Sequence, residues 1–287
     1  MDFYSAFFRL LRPKQWVKNV FVVLPLLFSG LLRTDRATES IGYAALAFGL
    51  FCAWSSAVYI MNDICDRKSD RQHPRKRNRP IASGEISLSA AWGVVVVLAV
   101  LPFAAWHTLP CGVFLAGGLF LANNLLYCLK LRSVAIGDVF SIAIGFVLRI
   151  LGGCFALGVE PSQWILMCGF SLALLLGFGK RRMEMSQEAR LALRGYSVEF
   201  LNILLGVTAA IALMSYLLYT LAPQTEAIHH TKNLIYATPF VFYGVFRYVW
   251  LSLLGKFDGP DEVFYKDVPF AVNGLLWAIA IFIILIL

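Results

Sequence analysis

The chain contains 287 residues, of which 59% are hydrophobic and 15% are charged, and its mean hydropathy is +0.72. This composition excludes an ordinary soluble domain and predicts one all-α membrane domain over residues 1–287, with room for about nine spanning helices. The net charge of +8 is attributed to basic cytoplasmic loops, so no nucleic acid partner is expected. The six cysteines show no CxxC or Cys/His spacing, which argues against a disulfide framework and a zinc site.

The first predicted element is a short amphipathic helix within residues 1–14. Phe3, Phe7, Leu10 and Leu11 fall at helical spacing, which predicts a helix that lies on the membrane surface. The segment lacks the features of a cleaved signal peptide and is expected to stay in the fold. Nine apolar stretches follow and predict nine transmembrane helices. They cover residues 16–33, 41–62, 88–107, 110–128, 134–158, 162–179, 199–222, 233–254 and 268–287.

Basic residues are distributed unevenly between the two sides of this predicted topology. The N-terminal segment and the loops after spans two, four, six and eight hold 20 Lys and Arg residues, and the opposite side holds three. By the positive-inside rule, the N-terminus is predicted to be cytoplasmic and the C-terminus to face outward. The expected location is the bacterial inner membrane, with cytoplasmic active-site loops at about residues 63–87 and 180–198.

An acidic motif begins where the second predicted span leaves the bilayer. If the helix continues, its spacing puts four oxygen-bearing side chains on one face. They are Asn62, Asp63, Asp66 and Asp70. Carboxylates this close repel one another unless a cation bridges them, and Mg²⁺ is usually held by one or two carboxylates together with phosphate oxygens. The motif is therefore predicted to bind Mg²⁺ and a diphosphate; the alternative is a solvated acidic helix end paired with basic neighbours.

The loop after this motif is strongly basic. It includes Arg71, Arg75, Arg77 and Arg79. Arginine suits bidentate phosphate binding, so these four residues are candidates for substrate contacts. Part of the loop's charge is expected only to set the topology or to bind anionic membrane lipids.

Charged residues inside or beside predicted spans form a second set of candidates. Asp138 and Arg149 lie in span five, about three turns apart near one face, and are expected to face a polar cavity. Arg149 is predicted to contact a substrate phosphate, and a structural ion pair with Asp138 is the alternative. Tyr127 and Lys130, at the end of span four, are either phosphate contacts or snorkelling groups.

The loop after span six begins with a third basic cluster. Lys180, Arg181 and Arg182 are followed by Glu184, which lies one helical turn after Lys180. Glu184 is predicted to orient a lysine or a ribose hydroxyl, and the three cations to bind phosphate.

At these residues the chain resembles the UbiA superfamily of intramembrane prenyltransferases. Members have nine spanning helices and an N-D-x-x-D-x-x-x-D motif after the second, and that motif is complete here. Residues 12–19, 75–84 and 180–184 resemble the branch of phosphoribosyltransferases that act on decaprenyl phosphate. The first of these segments contributes further substrate-binding candidates, Lys14, Gln15, Lys18 and Asn19.

The resemblance implies Mg²⁺-dependent transfer of 5-phosphoribose from phosphoribosyl pyrophosphate to a polyprenyl phosphate, for cell-envelope polysaccharide synthesis. Asp63, Asp66 and Glu184 would be the catalytic residues. Members of the superfamily that prenylate aromatic acceptors carry a second Asp-rich motif after span six. Residues 180–200 here contain no aspartate, which fits the phosphoribosyl branch. The polyprenyl length and the oligomeric state, a homo-oligomer included, stay open.

Two other functions remain as alternatives. The first is transfer of a prenyl chain from a prenyl diphosphate to an aromatic or glycerol-phosphate acceptor. The second is transport of a lipid or ion along intramembrane charges. The sequence argues against a transporter, because charges concentrate on one side and few besides Arg149 and Arg247 lie within spans.

Overall fold

The computed structural model describes residues 3–74, 76–185 and 195–286. Within these ranges the chain forms thirteen α-helices joined by short 3₁₀ turns, and no strand occurs there. The helices are α1 (Phe3–Leu11), α2 (Val20–Phe28), α3 (Ala37–Gln72), α4 (Pro80–Ser83), α5 (Leu88–Val100), α6 (Cys111–Leu129), α7 (Gly137–Leu157), α8 (Gln163–Met185), α9 (Val198–Leu221), α10 (Pro223–His229), α11 (Thr238–Leu254), α12 (Pro260–Lys266) and α13 (Val268–Ile286). The all-α prediction is confirmed.

Eight helical segments of the described chain are long and apolar enough to cross a membrane, and they correspond to predicted spans two to nine. The first predicted span, 16–33, is instead composite. A seven-residue 3₁₀ helix, Pro13–Asn19, runs directly into the nine-residue α2. At about 2.0 Å and 1.5 Å per residue the two together cover roughly 27 Å, close to the bilayer's ~30 Å core. An α-helix would need about 18 residues for this length, so the 3₁₀ geometry accounts for a difference of about two residues.

The helices form two compact units. Unit one comprises Met1–Leu26, Thr38–Leu129 and Leu148–Glu160, and unit two comprises Leu27–Ala37, Lys130–Val147 and Pro161–Leu287. α7 contributes its first half to unit two and its second half to unit one. The assignment of residues 1–287 to a single domain stays a prediction.

Unit one is built around α3. Phe51 and Trp54 are fully buried on this helix with their ring centroids 5.1 Å apart, edge to face. Phe120 of α6 packs against Phe51 at 5.9 Å. Gly117 of α6 lies directly against the Trp54 ring, where a larger side chain would collide. Such aromatic contacts add about 0.5–1.5 kcal/mol each beyond area burial, and here they fix α6 against α3.

α1 packs against the C-terminal half of α3. Leu10 is fully buried against Ile60 of α3 and Ile81 of α4, whereas Phe8 is 62% exposed. The predicted amphipathic helix is therefore confirmed as a helix, and its position on the membrane surface stays a prediction. The packing of Leu10 brings the residue that follows α1 close to the end of α3.

In unit two, α11 is fastened to both α8 and α13. The Tyr248 hydroxyl donates to the Leu176 carbonyl of α8 at 2.9 Å. Arg247 donates from Nε and Nη2 to the two carboxylate oxygens of Asp267, just before α13, at 3.1 and 2.9 Å. Arg247, the charge that lies inside predicted span eight, thus has a buried carboxylate partner, as burial of a charge requires.

Candidate active site

The acidic motif occupies the last turns of α3. This helix has 36 residues and is about 54 Å long, so its end projects well beyond a bilayer core of about 30 Å. Asn62 and Asp66 are partly exposed there, whereas Asp63 and Asp70 are each only 3% exposed. The sequence analysis required the helix to continue through the motif, and α3 does so. Two buried carboxylates are costly unless cations pair with them.

Arg79, from the predicted basic loop, is one of these cations. Its Nη1 donates to Asp63 Oδ1 at 3.0 Å and to Asp70 Oδ2 at 2.6 Å. One guanidinium nitrogen therefore bridges two carboxylates of the motif.

Arg12 is a second cation, and the sequence analysis did not include it among the site residues. Its Nε donates to Asp63 Oδ2 at 3.1 Å and its Nη2 bonds Asp63 Oδ1, while its guanidinium lies 5.8 Å from the Tyr59 ring centroid. Burial lowers the pKa of Arg12, and the Asp63 carboxylate opposes that shift. Arg12 also has φ 53°, a left-handed conformation that is rare outside glycine and concentrates at functional sites.

The donors present fit a magnesium ion shared with a substrate diphosphate. Within the described ranges no three His, Cys, Asp or Glu side chains converge as a protein-only metal cage. Mg²⁺ does not require one, because it commonly takes one or two carboxylates and completes its shell with water and phosphate oxygens. Asp66 is accessible for this role, and the oxygens of Asp63 are already organised by Arg12.

The other residues of the basic loop are placed differently. Arg71 Nε donates to the Ala82 carbonyl at 3.0 Å, where it helps to end α4. Arg77 is exposed. Arg75 lies outside the described residues, so its predicted phosphate contact stays a prediction.

Arg149 is buried in unit one, where it contacts polar side chains and an aromatic ring. It is 5% exposed, and its guanidinium sits 4.5 Å from the Phe120 ring centroid. Its Nε donates to Asn19 Oδ1 at 2.7 Å and its Nη2 to Ser55 Oγ at 3.2 Å, while Ser55 itself donates to Asn19 Oδ1 at 3.0 Å. Two separately predicted site residues, Asn19 and Arg149, are thus brought together.

The remaining candidates of the N-terminal segment and of α6 are solvent-accessible to different degrees. Lys14 and Lys130 are exposed, whereas Gln15, Lys18 and Tyr127 are partly buried. The structure leaves their substrate contacts as predictions.

A buried carboxylate network lies in unit two. Asp138 is fully buried, and its Oδ2 accepts from Arg181 Nε at 2.6 Å. Its Oδ1 accepts from the Tyr196 hydroxyl and from the Val139 backbone N–H, both at 2.8 Å. Arg181 also donates from Nη1 to Glu184 Oε2 at 2.6 Å. Tyr196 was not predicted as a site residue, and no spacing rule links it to Asp138.

The suggested structural ion pair between Asp138 and Arg149 is wrong. Eleven residues along a helix are about 16 Å, too far for an ion pair, and Asp138 pairs with Arg181 while Arg149 bonds Asn19. The structure shows Glu184 bonded to Arg181, and its predicted role in orienting a lysine or a ribose hydroxyl stays a prediction.

The other cations at the end of α8 serve different contacts. Arg182 Nε donates to Asn202 Oδ1 of α9 at 2.9 Å, which ties α8 to α9. Lys180 is partly exposed. Residues 186–194, which form about half of the second predicted active-site loop (180–198), lie outside the described residues.

Comparison with known proteins identifies the family. The sequence matches the UbiA prenyltransferase family over residues 22–275. The chain belongs to the UbiA prenyltransferase family. Its curated relatives include the decaprenyl-phosphate phosphoribosyltransferase of Corynebacterium glutamicum, 33% identical over 284 residues, with 94% of this chain and 84% of the relative covered. The enzyme of the same name from Mycobacterium tuberculosis H37Rv is 30% identical over 277 residues, with 93% and 90% covered.

The UbiA fold is also found among solved structures. A UbiA homolog from Archaeoglobus fulgidus bound to DMAPP and Mg²⁺ superposes with a TM-score of 0.74 at 20% identity, covering 97% of this chain and 99% of that one. This likeness confirms the fold. With eight apolar helical segments in the part of the chain that the structure describes, this member of the UbiA family is a multi-pass membrane transferase.

Proposed function

We propose that this chain catalyses Mg²⁺-dependent transfer of 5-phosphoribose from phosphoribosyl pyrophosphate to a polyprenyl phosphate such as decaprenyl phosphate, with release of pyrophosphate. The observation that carries the proposal is the end of α3, where buried Asp63 and Asp70 meet Arg12 and Arg79. Carboxylates for a metal ion and arginines for phosphate lie side by side there. The names of relatives that align over more than nine-tenths of the chain support the choice of donor and acceptor.

The chemistry needs positioning more than acid–base catalysis. A phosphate oxygen of the acceptor attacks the anomeric carbon of the ribose, and the bond from that carbon to the pyrophosphate oxygen breaks. Pyrophosphate leaves with the bonding electrons. The acceptor phosphate is already ionised, so no strong general base is required. Bound Mg²⁺, held by Asp63 and Asp66 with Asn62 and Asp70, would neutralise the leaving diphosphate.

Arg12 and Arg79 suit the same step. The guanidinium fork matches phosphate as well as carboxylate, so each arginine can keep a partner while it exchanges part of its contact with Asp63 for a diphosphate oxygen. Both cations are already ordered by the motif's carboxylates, so little ordering entropy remains to be lost when the diphosphate binds.

The distribution of Lys and Arg indicates on which side of the membrane the site lies. We place the site on the cytoplasmic face of the bacterial inner membrane, where basic loops also bind anionic lipids. The product would supply cell-envelope polysaccharide synthesis, arabinan precursors among them. The orientation rests on the excess of Lys and Arg on one side of the predicted topology, and the use of the product rests on the resemblance to the decaprenyl-phosphate phosphoribosyltransferases.

The test is a donor comparison with the purified, reconstituted protein. Phosphoribosyl pyrophosphate labelled in the ribose is incubated with decaprenyl phosphate and Mg²⁺, and label in the lipid fraction is measured. We expect a labelled sugar lipid and stoichiometric pyrophosphate. No lipid label from an enzyme that is active with prenyl diphosphates would overturn the proposal.

Prenyl transfer is the second candidate, because the solved UbiA homolog from Archaeoglobus fulgidus is bound to DMAPP and Mg²⁺. The same assay separates the two reactions when labelled prenyl diphosphate and an aromatic or glycerol-phosphate acceptor replace the substrates. Only one of the two labelled donors should yield product.

A further inference from the structure

The segment that joins α6 to α7 carries Lys130 and ends in a strained residue. Leu131–Ser133 form a single 3₁₀ turn, and Ile136 follows with φ 69°. A β-branched side chain rarely adopts a positive φ, because its branched carbon collides with the backbone. Such a conformation persists only where the surroundings hold it in place.

The Tyr196 hydroxyl holds Ile136. It accepts the Ile136 backbone N–H at 2.5 Å and donates to Asp138 Oδ1 at 2.8 Å. Tyr196 is 7% exposed, and the preceding Gly195 lies so close to Ala135 that an added Cβ would sit 2.6 Å from the alanine methyl. Burial raises the pKa of Tyr196, so the hydroxyl keeps the proton that it donates.

Asp138 extends this contact to the end of α8. Its second oxygen accepts from Arg181, which also bonds Glu184. A continuous series of hydrogen bonds thus runs from Ile136 through Tyr196 and Asp138 to Arg181. It joins two basic elements of unit two, the turn with Lys130 and the helix end with Lys180.

We propose that Tyr196 is a positioning residue for the phosphate-binding cations of this enzyme. Its hydroxyl fixes the left-handed turn at Ile136. Through Asp138, it also fixes the distance between that turn and the end of α8 that carries Arg181. Tyr196 touches no substrate in this account, and Asp138 acts in the same way. The proposal rests on the proposed function for the identity of the phosphorylated ligands.

The first experiment replaces the hydroxyl alone. Tyr196→Phe retains the ring, and we expect KM for a phosphorylated substrate to rise about tenfold while kcat changes less than threefold. Hydrogen exchange of the Ile136 amide should accelerate in the same variant. The matched control is Tyr248→Phe, which removes another buried hydroxyl bond of unit two, to the Leu176 carbonyl. It should leave both KM and the Ile136 amide unchanged.

A second substitution tests the turn conformation itself. Glycine adopts positive φ without strain, so Ile136→Gly in the Tyr196→Phe background should keep the turn closed and return KM to within about threefold of wild type. No rescue, or equal KM in the Tyr196 and Tyr248 variants, would overturn the proposal. If the wild-type protein does not use phosphoribosyl pyrophosphate, the proposed function is wrong, and exchange of the Ile136 amide still tests the role of Tyr196.

Discussion

Arg12 shows which residues of the site a sequence could indicate and which it could not. The motif residues share one helix, so their spacing alone predicts a common face. Arg12 lies 51 positions before its partner Asp63. Their meeting depends on how Leu10 packs α1 onto α3, and no local pattern encodes that contact.

Because Asp63 is bonded to Arg12 and Arg79, substitution of Asp66 tests the metal site more directly than substitution of Asp63. Asp63→Asn leaves the partly buried Arg12 and Arg79 beside a neutral group, so it should lower both activity and stability, the latter by about 1–3 kcal/mol. Asp66 is partly exposed, and Asp66→Asn should reduce turnover about a hundredfold or more with an unchanged melting temperature. Turnover and thermal unfolding are measured on the same preparations. Exposed Asp35→Asn is the control, and near-normal turnover of Asp66→Asn would contradict the assignment.

Arg149 gives a second prediction at this scale. Its fork donates from two nitrogens to Asn19 and Ser55, a planar geometry that a lysine does not reproduce. We expect Arg149→Lys to stay folded and to raise KM for one phosphorylated substrate about tenfold, measured by varying each substrate separately. Arg247→Lys, another forked arginine within a span, controls for general loss of packing.

The double variant Asp138→Asn with Arg149→Gln provides the complementary measurement. Because Asp138 pairs with Arg181 rather than with Arg149, the two changes should add, and activity should not recover. Recovery of activity in the double variant would show that the two residues act as a pair after all.

At the scale of elements, hydropathy predicted the long helices well because lipid requires about twenty apolar residues per span. It failed to describe the first span, where the 3₁₀ helix Pro13–Asn19 precedes α2. The choice between 3₁₀ and α geometry depends on tertiary hydrogen bonds, such as the one from Trp16 to Ser56 at 3.0 Å. Short α10 and α12 lie in predicted loops and were not foreseen for the same reason.

α10 carries a pH-dependent contact. His229 at its end is 2% exposed, its Nε2 lies 3.2 Å from the Tyr219 hydroxyl, and its carbonyl accepts from Arg33 at 2.9 Å. Burial and then the charge of Arg33 lower the pKa of His229 to about 4. Since the unfolded chain has a histidine pKa of about 6.5, it takes up the proton first as pH falls. This contribution to stability is complete above about pH 6.5 and is lost towards pH 4.

We therefore expect the free energy of unfolding to drop by roughly 1–2 kcal/mol between pH 7 and pH 5, allowing for partial screening by solvent. Chemical unfolding in detergent at the two pH values measures the drop. His229→Gln should remove most of it, and His107→Gln, an exposed histidine of unit one, should not. An equal pH dependence in all three proteins would contradict the role of His229.

At the scale of the molecule, the sequence could predict the fold class and the acidic motif, but not which charges pair. Hydropathy describes each span separately, and α7 shows the consequence. Asp138 and Arg149 lie near one face of this helix, yet its two halves belong to different compact units. Asp138 pairs with Arg181 and Arg149 bonds Asn19, each within one unit. Packing within the unit, and not helical periodicity, determines which residues are neighbours.

The predicted topology can be tested with two native cysteines. Cys65 lies between Asp63 and Asp66 on α3, Cys111 is the first residue of α6, and both are exposed. The positive-inside rule puts Cys65 on the cytoplasmic side and Cys111 on the outer side. In intact cells, a membrane-impermeant maleimide should therefore label Cys111 and should reach Cys65 only after permeabilisation. Cys65→Ser and Cys111→Ser variants assign each labelled site, and the reverse order of labelling would invert the topology and move the active site to the outer face.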